Sequence, residues 1–305
     1  MIYMVCATIL FAFGPVLVRI GINQDVSPDH LMVLRLAVAF PLFFIAVALR
    51  KNVGEAKVNR EDLLFVLILS VAGMGGAMFC FFRSISYLGA SVATIIGAIS
   101  PATAILMAYV LYSRPVTGRQ VASLLISFTG VVLVVMPMVG LESFGGIIRS
   151  SMVGVGYVLL ANVCSSGAVL GFEKYMKSKS PLVAAFHVTG FMFLFFGVAI
   201  GVPDMHFGLK TWVIVLLLGS VAWFVPFMLF FHGIRAMGSS NAVLVQNIGP
   251  MVTVLVAGVI LGERLQMVQL AGMVVIITSV YLLKTGGKVL SKPPIDPEEA
   301  PPIPL

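Results

Sequence analysis

A few polar side chains that could do chemistry lie inside long apolar stretches of the sequence. They are Arg35, His187 and the adjacent amides Gln246 and Asn247. A guanidinium can hold a carboxylate through two parallel hydrogen bonds, an imidazole can carry a proton near neutral pH, and an amide in hydrocarbon needs a hydrogen-bond partner. These residue types predict the binding of a small polar molecule, with Trp223 as an apolar wall of the same site.

Each of these residues also has a structural interpretation. Arg35 could extend to the membrane surface or pair within the protein, and His187 could be a hydrogen-bonded structural histidine. Gln246 could bond a backbone carbonyl freed by Pro250, and Trp223 could serve in packing alone. The sequence leaves both sets of roles open.

The remaining ionisable residues argue against several kinds of chemistry. None of the twelve Asp and Glu residues lies in the middle of an apolar run and no Lys lies within one, which disfavours a simple proton relay and phosphorylated substrates. The four histidines are dispersed and the three cysteines are scattered, so the sequence indicates neither a zinc site nor a disulfide framework. We predict no metal and no cofactor.

The elements that position these side chains are membrane-spanning helices. Hydrophobic residues make up 60% of the chain, charged residues 10%, and the mean hydropathy is +1.09, far from the balance of a soluble domain. A bilayer crossing needs about 20 apolar residues in a helix, and the apolar runs have that length. The ten predicted spans are 2–22, 31–49, 63–82, 90–112, 120–139, 153–172, 182–202, 212–231, 240–261 and 266–283.

An internal repeat divides these spans into two halves. Residues 232–272 align without a gap on residues 83–123, at an offset of 149, with identical residues that include Gly89/Gly238, Ser91/Ser240, Ala93/Ala242 and Pro101/Pro250. We predict a first five-helix repeat over 1–140, a connecting loop over 141–152, a second repeat over 153–284 and a disordered proline-rich tail over 285–305. Because each half has an odd number of spans, the second half enters the membrane inverted.

Glycine and proline mark possible helix breaks at matching positions in the two repeats. The offset places the segment with Gly75 and Gly76 of the third span over Ala222–Val225 of the eighth, which Pro226 follows. It also places Gly97 and Pro101 of the fourth span over Gln246 and Pro250 of the ninth. Interrupted spans at matching positions indicate the binding site of a repeat-built transporter. The predicted substrate-binding residues are Gln246, Asn247, Trp223, Arg35, His187 and Gly97, and the predicted helix breaks are Gly75, Gly76, Pro101, Pro226 and Pro250.

Basic residues predict the orientation of the chain. With the N-terminus in the cytoplasm, thirteen of the nineteen Lys and Arg residues fall on the inner side, five fall on the outer side and Arg35 lies within a span. Since cytoplasmic loops collect Lys and Arg, we expect both termini in the cytoplasm. The formal charge of +7 then reflects topology, and nucleic acid is not predicted as a partner.

The repeated motif resembles a known family. Residues 86–93 read SYLGASVA and are followed by Pro101, while residues 235–242 read RAMGSSNA and are followed by Pro250 and by LGERL over 261–265. This pattern is similar to the EamA family of drug/metabolite transporters. The resemblance implies ten spans in two inverted repeats and the permeation of a small organic solute. It also implies Glu-Arg after the fourth span, where this chain has Ser113-Arg114 instead. For Glu263-Arg264 we favour a helix-end cap and interfacial ion pair over a gate.

Together these features predict a secondary transporter in the cell's inner membrane. It would export or exchange a small polar organic metabolite by alternating access. The positive bias of Arg35 and His187 favours an amino acid or another carboxylate-bearing solute. The alternatives are an integral membrane enzyme acting on a lipid or polyprenyl substrate and a cationic-drug efflux carrier. An enzyme would need clustered acids, histidines or a metal at the interface, so we predict no enzymatic activity. The partners are the substrate and the lipid bilayer, and the oligomeric state is open.

Overall fold

The fold is entirely helical in the part of the chain that the structure describes. The structure is a computed structural model, and the predicted all-α membrane fold class is confirmed at this level. The residues described are 2–49, 60–100, 102–103, 106–107, 109, 118–135, 146–176, 179–201, 206–237, 245–246 and 249–284. Pro101, Asn247 and the predicted tail over 285–305 lie outside these ranges.

The described helices follow the predicted spans closely. The predicted connecting loop over 141–152 is already helical from Gly146 onward. In chain order the helices are α1 (Ile2–Ile22), α2 (Pro28–Leu49), α3 (Arg60–Ile68), α4 (Gly76–Gly97), α5 (Gly118–Val135), α6 (Gly146–Tyr175), α7 (Pro181–Ile200), α8 (Leu209–Gly219), α9 (Val225–Met237), α10 (Gly249–Leu261) and α11 (Met267–Lys284).

Two π-helical turns lie at positions that the sequence offset of 149 relates. The first, π1 (Leu69–Gly75), joins α3 to α4, and the second, π2 (Ser220–Phe224), joins α8 to α9. Residues 71–75 and 220–224 are related by the repeat offset of 149. The helix therefore continues through Gly75 and Gly76 as a widened turn, without a loop. The glycines allow close packing there, because a Cβ at Gly75 would lie 2.4 Å from a ring carbon of Phe196.

A sharp turn inside α4 separates two helical pieces. Gly89 has φ 78° and ψ 171°, a combination far from helical geometry and accessible essentially to glycine alone. The turn lies between the predicted third span, which ends at residue 82, and the predicted fourth span, which begins at residue 90. Gly89 is thus the kink between these two helical pieces.

The apolar helices are suited to a lipid environment. Of the residues that the structure describes, six helical stretches are long and apolar enough to cross a membrane, and two shorter apolar helices lie at 249–261 and 267–279. Their outward side chains are large and hydrophobic, and Val198, Val259 and Leu125 are 88%, 87% and 65% exposed. In water such a surface would be an aggregation hazard. The chain is a multi-pass membrane protein.

Helices of one half pack mainly on helices of the other half. α2 packs on α7, α5 on α11, and α4 on α6. In the same way, π1 packs on α6 and π2 on α1. The α5–α11 contact is close enough for backbones to touch, since a Cβ at Gly272 would lie 2.7 Å from the carbonyl oxygen of Gly130. Small residues permit such approaches between helices in lipid.

Candidate functional site

Arg35 lies at the centre of the described bundle. It is on α2 and only 5% exposed, so extension to the membrane surface is excluded for this side chain. Its guanidinium carbon lies 4.4 Å from the ring centre of Trp223 and 5.4 Å from that of Phe82. One terminal nitrogen, Nη2, donates a hydrogen bond to the carbonyl of Ala222, and the other, Nη1, lies 3.9 Å from the sulfur of Met78.

The carbonyl that Arg35 reaches is available because of a proline. In an α-helix the carbonyl of Ala222 would accept from the N–H of residue 226, and Pro226 has no N–H. The π-helical turn π2 ends just before this proline, at Phe224. Pro226, a predicted helix break, therefore leaves a buried acceptor that a side chain from the other half satisfies.

The positive charge of Arg35 has no carboxylate partner in the described part of the chain. There, Asp29 pairs with Arg83 and Glu263 accepts from backbone amides. The Nε of Arg35 is buried without a hydrogen-bond partner. Burying a charge without an opposite charge costs several kcal/mol, and stacking on aromatic faces returns about 2 kcal/mol when desolvated. Within the described residues the guanidinium therefore has an uncompensated positive charge and one donor, Nε, without a partner.

Trp223 is held in place from two sides. Its indole N–H donates to the hydroxyl of Thr189 on α7 at 3.2 Å, and its ring stacks on Phe227 with centres 4.2 Å apart. It is 7% exposed. These contacts fix the ring face over Arg35, so the structure brings together two of the predicted site residues.

His187 belongs to a different set of contacts. It is buried on α7, and its Nδ1 lies 2.9 Å from the hydroxyl of Tyr175. Its ring also packs beside Phe186 and Phe191. These neighbours differ from those around Arg35, and the arrangement is that of a hydrogen-bonded structural histidine.

The predicted residues of the fourth and ninth spans are partly described. Gly97 ends α4, and Gln246 is partly exposed in a short helical piece before α10. Pro250 is buried in the first turn of α10. Thr253 on α10 is fully buried and donates to the carbonyl of Ala12 on α1 at 3.0 Å. The face of α10 that carries Thr253 therefore packs against α1.

Sequence reasoning missed a polar cluster in the sixth span. Asn162 and Ser166 on α6 are each 7% exposed, and the hydroxyl of Ser166 lies 3.2 Å from that of Thr103. Thr189, which orients Trp223, was missed as well. The signal was present, because Asn162 and Ser166 are one helical turn apart in the middle of an apolar span.

Glu263 connects the two halves as a helix cap. Its carboxylate accepts from the backbone N–H of Ala90 at 3.2 Å and from that of Ser91 at 3.0 Å. These groups open the second piece of α4, just after Gly89. A carboxylate at a helix N-terminus accepts hydrogen bonds from free N–H donors and interacts favourably with the helix dipole. Glu263 therefore caps a helix in the first half of the chain, whereas the predicted ion pair with Arg264 is not among the salt bridges of the described residues.

Gly89→Ala tests the kink at Gly89 and its contact with the Glu263 carboxylate. A side chain at Gly89 would meet a strained backbone and would place Cβ 3.2 Å from Oε1 of Glu263. We expect the variant to unfold in detergent at a lower temperature, with a loss of about 1–3 kcal/mol. Gly156→Ala is the matched control, because a Cβ at Gly156 meets nothing within 4 Å. Equal unfolding temperatures for Gly89→Ala and wild type would show that this position does not require glycine.

Comparison with known proteins agrees with this fold. The EamA-like transporter family matches residues 1–136 and 152–285. Similar proteins include the uncharacterized transporter YcbK of Bacillus subtilis (strain 168), 24% identical over 94% of this chain and 95% of its own length. An uncharacterized transporter of Clostridium kluyveri is 24% identical over 74% of this chain and 73% of its own. A solved crystal structure has a TM-score of 0.66 and 16% identity, and it covers 95% of this chain and 98% of that one.

The crystal structure is similar in fold alone, since its sequence identity is low. The family match is stronger, because its two segments together span most of the chain and leave out the region between the predicted repeats and the tail. The two sequence relatives are named as transporters, and the alignments cover 95% and 73% of their lengths. The chain therefore belongs to the EamA-like transporter family and is a membrane transporter.

Proposed function

We propose that this transporter is a secondary carrier that exports or exchanges a small organic solute bearing a carboxylate, such as an amino acid, across the cell's inner membrane. The observation that carries the proposal is the Arg35 guanidinium, buried without a described carboxylate partner and with an unpaired Nε. A carboxylate is the planar anion that such a group binds best. Transport involves no covalent chemistry, and the substrate supplies the missing negative charge during its passage.

The surroundings of Arg35 support an anion over a cation. The aromatic face of Trp223 is already occupied by the guanidinium at 4.4 Å, so an organic cation would compete with a fixed positive charge for the same ring. In a medium of low dielectric constant that repulsion is large. On α1, Gly14 adjoins the pair, and a Cβ there would lie 4.0 Å from Nη2 of Arg35. A side chain at this position would therefore reach the guanidinium.

The proposal includes ten spans in two inverted repeats with both termini in the cytoplasm. The two separate family matches support the repeat, and so do the π-helical turns at equivalent positions. Packing of α2 on α7 and of α5 on α11 pairs the corresponding spans of the two halves. In such an architecture the halves rock against each other around a site near the membrane midplane, which opens to either side in turn.

A topology experiment follows from this arrangement. A reporter enzyme that is active only in the cytoplasm is expected to be active when fused after Leu283 and silent when inserted in the predicted loop over 141–152. The reason is the distribution of Lys and Arg, thirteen inside against five outside. Activity of the reporter at both positions would contradict the inverted repeat.

Ligand binding tests the substrate class. We expect short amino acids and other small carboxylates to raise the unfolding temperature of the purified protein in detergent, because a ligand that binds the folded state stabilises it. Their amides, which lack the carboxylate anion, serve as matched controls and should stabilise it less. Tight binding of a permanent organic cation that persists in Arg35→Gln would contradict the proposal.

A further inference from the structure

We propose that Asn162 and Ser166 on α6 form a second polar subsite, which binds a neutral hydroxyl or amide group of the transported carboxylate. This inference deepens the proposed function and rests on it. Both side chains are more than nine-tenths buried, and the amide nitrogen of Asn162 has no hydrogen-bond partner. Asn162 lies in the middle of a helical stretch, Ser151–Phe172, that is long and apolar enough to cross the membrane.

An unpartnered amide in this position is costly. Moving an amide from water into hydrocarbon without a hydrogen bond costs several kcal/mol, and an apolar residue of similar volume would avoid that penalty. Polar residues at membrane depth that face the protein interior are therefore functional candidates by default. In the described structure Asn162 has buried surroundings and a free donor, which is what a ligand acceptor would satisfy.

The hydroxyl network next to Asn162 defines which groups remain free. Thr103 donates its single hydroxyl proton to the carbonyl of Ser100 at 2.8 Å. The hydroxyl of Ser166, 3.2 Å from that of Thr103, must then be the donor in their shared hydrogen bond. The oxygen of Ser166 retains lone pairs that can accept. The pair thus offers the two N–H donors of the Asn162 amide and the acceptor oxygen of Ser166 on adjacent turns of one helix face.

These free groups select the chemistry of the ligand. A group that accepts from Asn162 and donates to Ser166 is a hydroxyl or a primary amide. A second charge is disfavoured, because the described cluster of Asn162, Ser166 and Thr103 contains no ionisable side chain.

The subsite and Arg35 lie at a similar depth along α4. α6 runs antiparallel to α4, since Gly154 packs against Leu88 while Cys164 packs beside Gly76. Asn162 is two residues from Cys164 and is therefore level with the first turn of α4. That turn carries Met78, whose sulfur contacts Arg35. A single solute could therefore place its carboxylate at Arg35 and its neutral hydrogen-bonding group at Asn162, because both residues lie at a similar depth in the membrane.

Paired ligands and one apolar substitution test the subsite. The first ligand pair, lactate and propionate, differs by a hydroxyl group, and the second pair, glutamine and norvaline, differs by a side-chain amide. The dissociation constant of each ligand is measured on the purified full-length protein in detergent. We expect wild type to prefer lactate and glutamine over their partners by roughly three- to tenfold, the worth of one hydrogen bond. In Asn162→Leu and Ser166→Ala that preference should fall to about one. Ser165→Ala is the control, because its hydroxyl bonds the carbonyl of its own helix.

The unfolding temperature of the ligand-free protein gives a second readout. Asn162→Leu removes an unpartnered amide, so we expect it to unfold at a higher temperature than wild type. A purely structural Asn162 would give a lower temperature, and that result would overturn the subsite. Carboxylate binding with unchanged selectivity in Asn162→Leu would overturn the subsite and leave the carrier proposal standing. If no carboxylate binds wild type, the proposed substrate class fails and the subsite fails with it.

Discussion

Arg35→Gln is expected to reduce transport of a carboxylate substrate by roughly 30-fold or more, because loss of one partner from a buried charge pair costs 2–5 kcal/mol. The substitution also removes a charge that is buried without a described carboxylate, so the unfolding temperature without ligand should fall little. The measurement is initial uptake into vesicles, normalised to the amount of inserted protein.

A second arginine provides the control for this experiment. Arg235 lies in the last turn of α9 and is exposed, so Arg235→Gln changes the same residue type and the same net charge. We expect its transport to match wild type. Wild-type rates in Arg35→Gln would show that the guanidinium serves the fold alone, through the carbonyl of Ala222.

Trp223→Ala is expected to abolish most transport. It removes the ring that faces Arg35, together with the stacking on Phe227 and the hydrogen bond to Thr189. A buried aromatic ring replaced by alanine also costs about 3–5 kcal/mol of stability, so the amount of inserted protein should fall as well. Transport must therefore be expressed per inserted molecule, measured in the same vesicles.

Trp223→Phe separates the two effects of that substitution. Phenylalanine keeps an aromatic face for Phe227 and for Arg35 but cannot donate to Thr189. We expect insertion near the wild-type level and transport intermediate between wild type and Trp223→Ala. Full transport per inserted molecule in Trp223→Ala would place the binding site elsewhere.

Much of the fold could be predicted because a bilayer imposes strong constraints. Apolar length sets the spans, and the offset of 149 relates residues 83–123 to residues 232–272. The type of interruption could not be predicted from Gly75 and Gly76. Glycines are compatible with both a π-helical turn and a loop. Which of the two forms depends on packing against α6 and α7, which are distant in sequence.

The sequence could predict which polar and aromatic residues belong to the candidate site, but it could not predict which of them contact each other. Pro226 frees the carbonyl of Ala222 by a local rule, but its partner Arg35 lies 187 residues away, and local rules do not identify it. His187 was grouped with Arg35 on charge alone, whereas the structure places it beside Tyr175. The internal repeat does not point to Asn162, because the offset of 149 aligns it with Phe13, an apolar residue.

Counterflow in liposomes is the most direct test of a carrier for carboxylates. The purified protein would be reconstituted, loaded with an unlabelled amino acid mixture and placed in trace amounts of labelled amino acids or other small carboxylates. The account predicts transient accumulation of at least one labelled carboxylate, abolished in Arg35→Gln and retained in Arg235→Gln. Accumulation of labelled organic cations instead, at equal rates in wild type and Arg35→Gln, would contradict it.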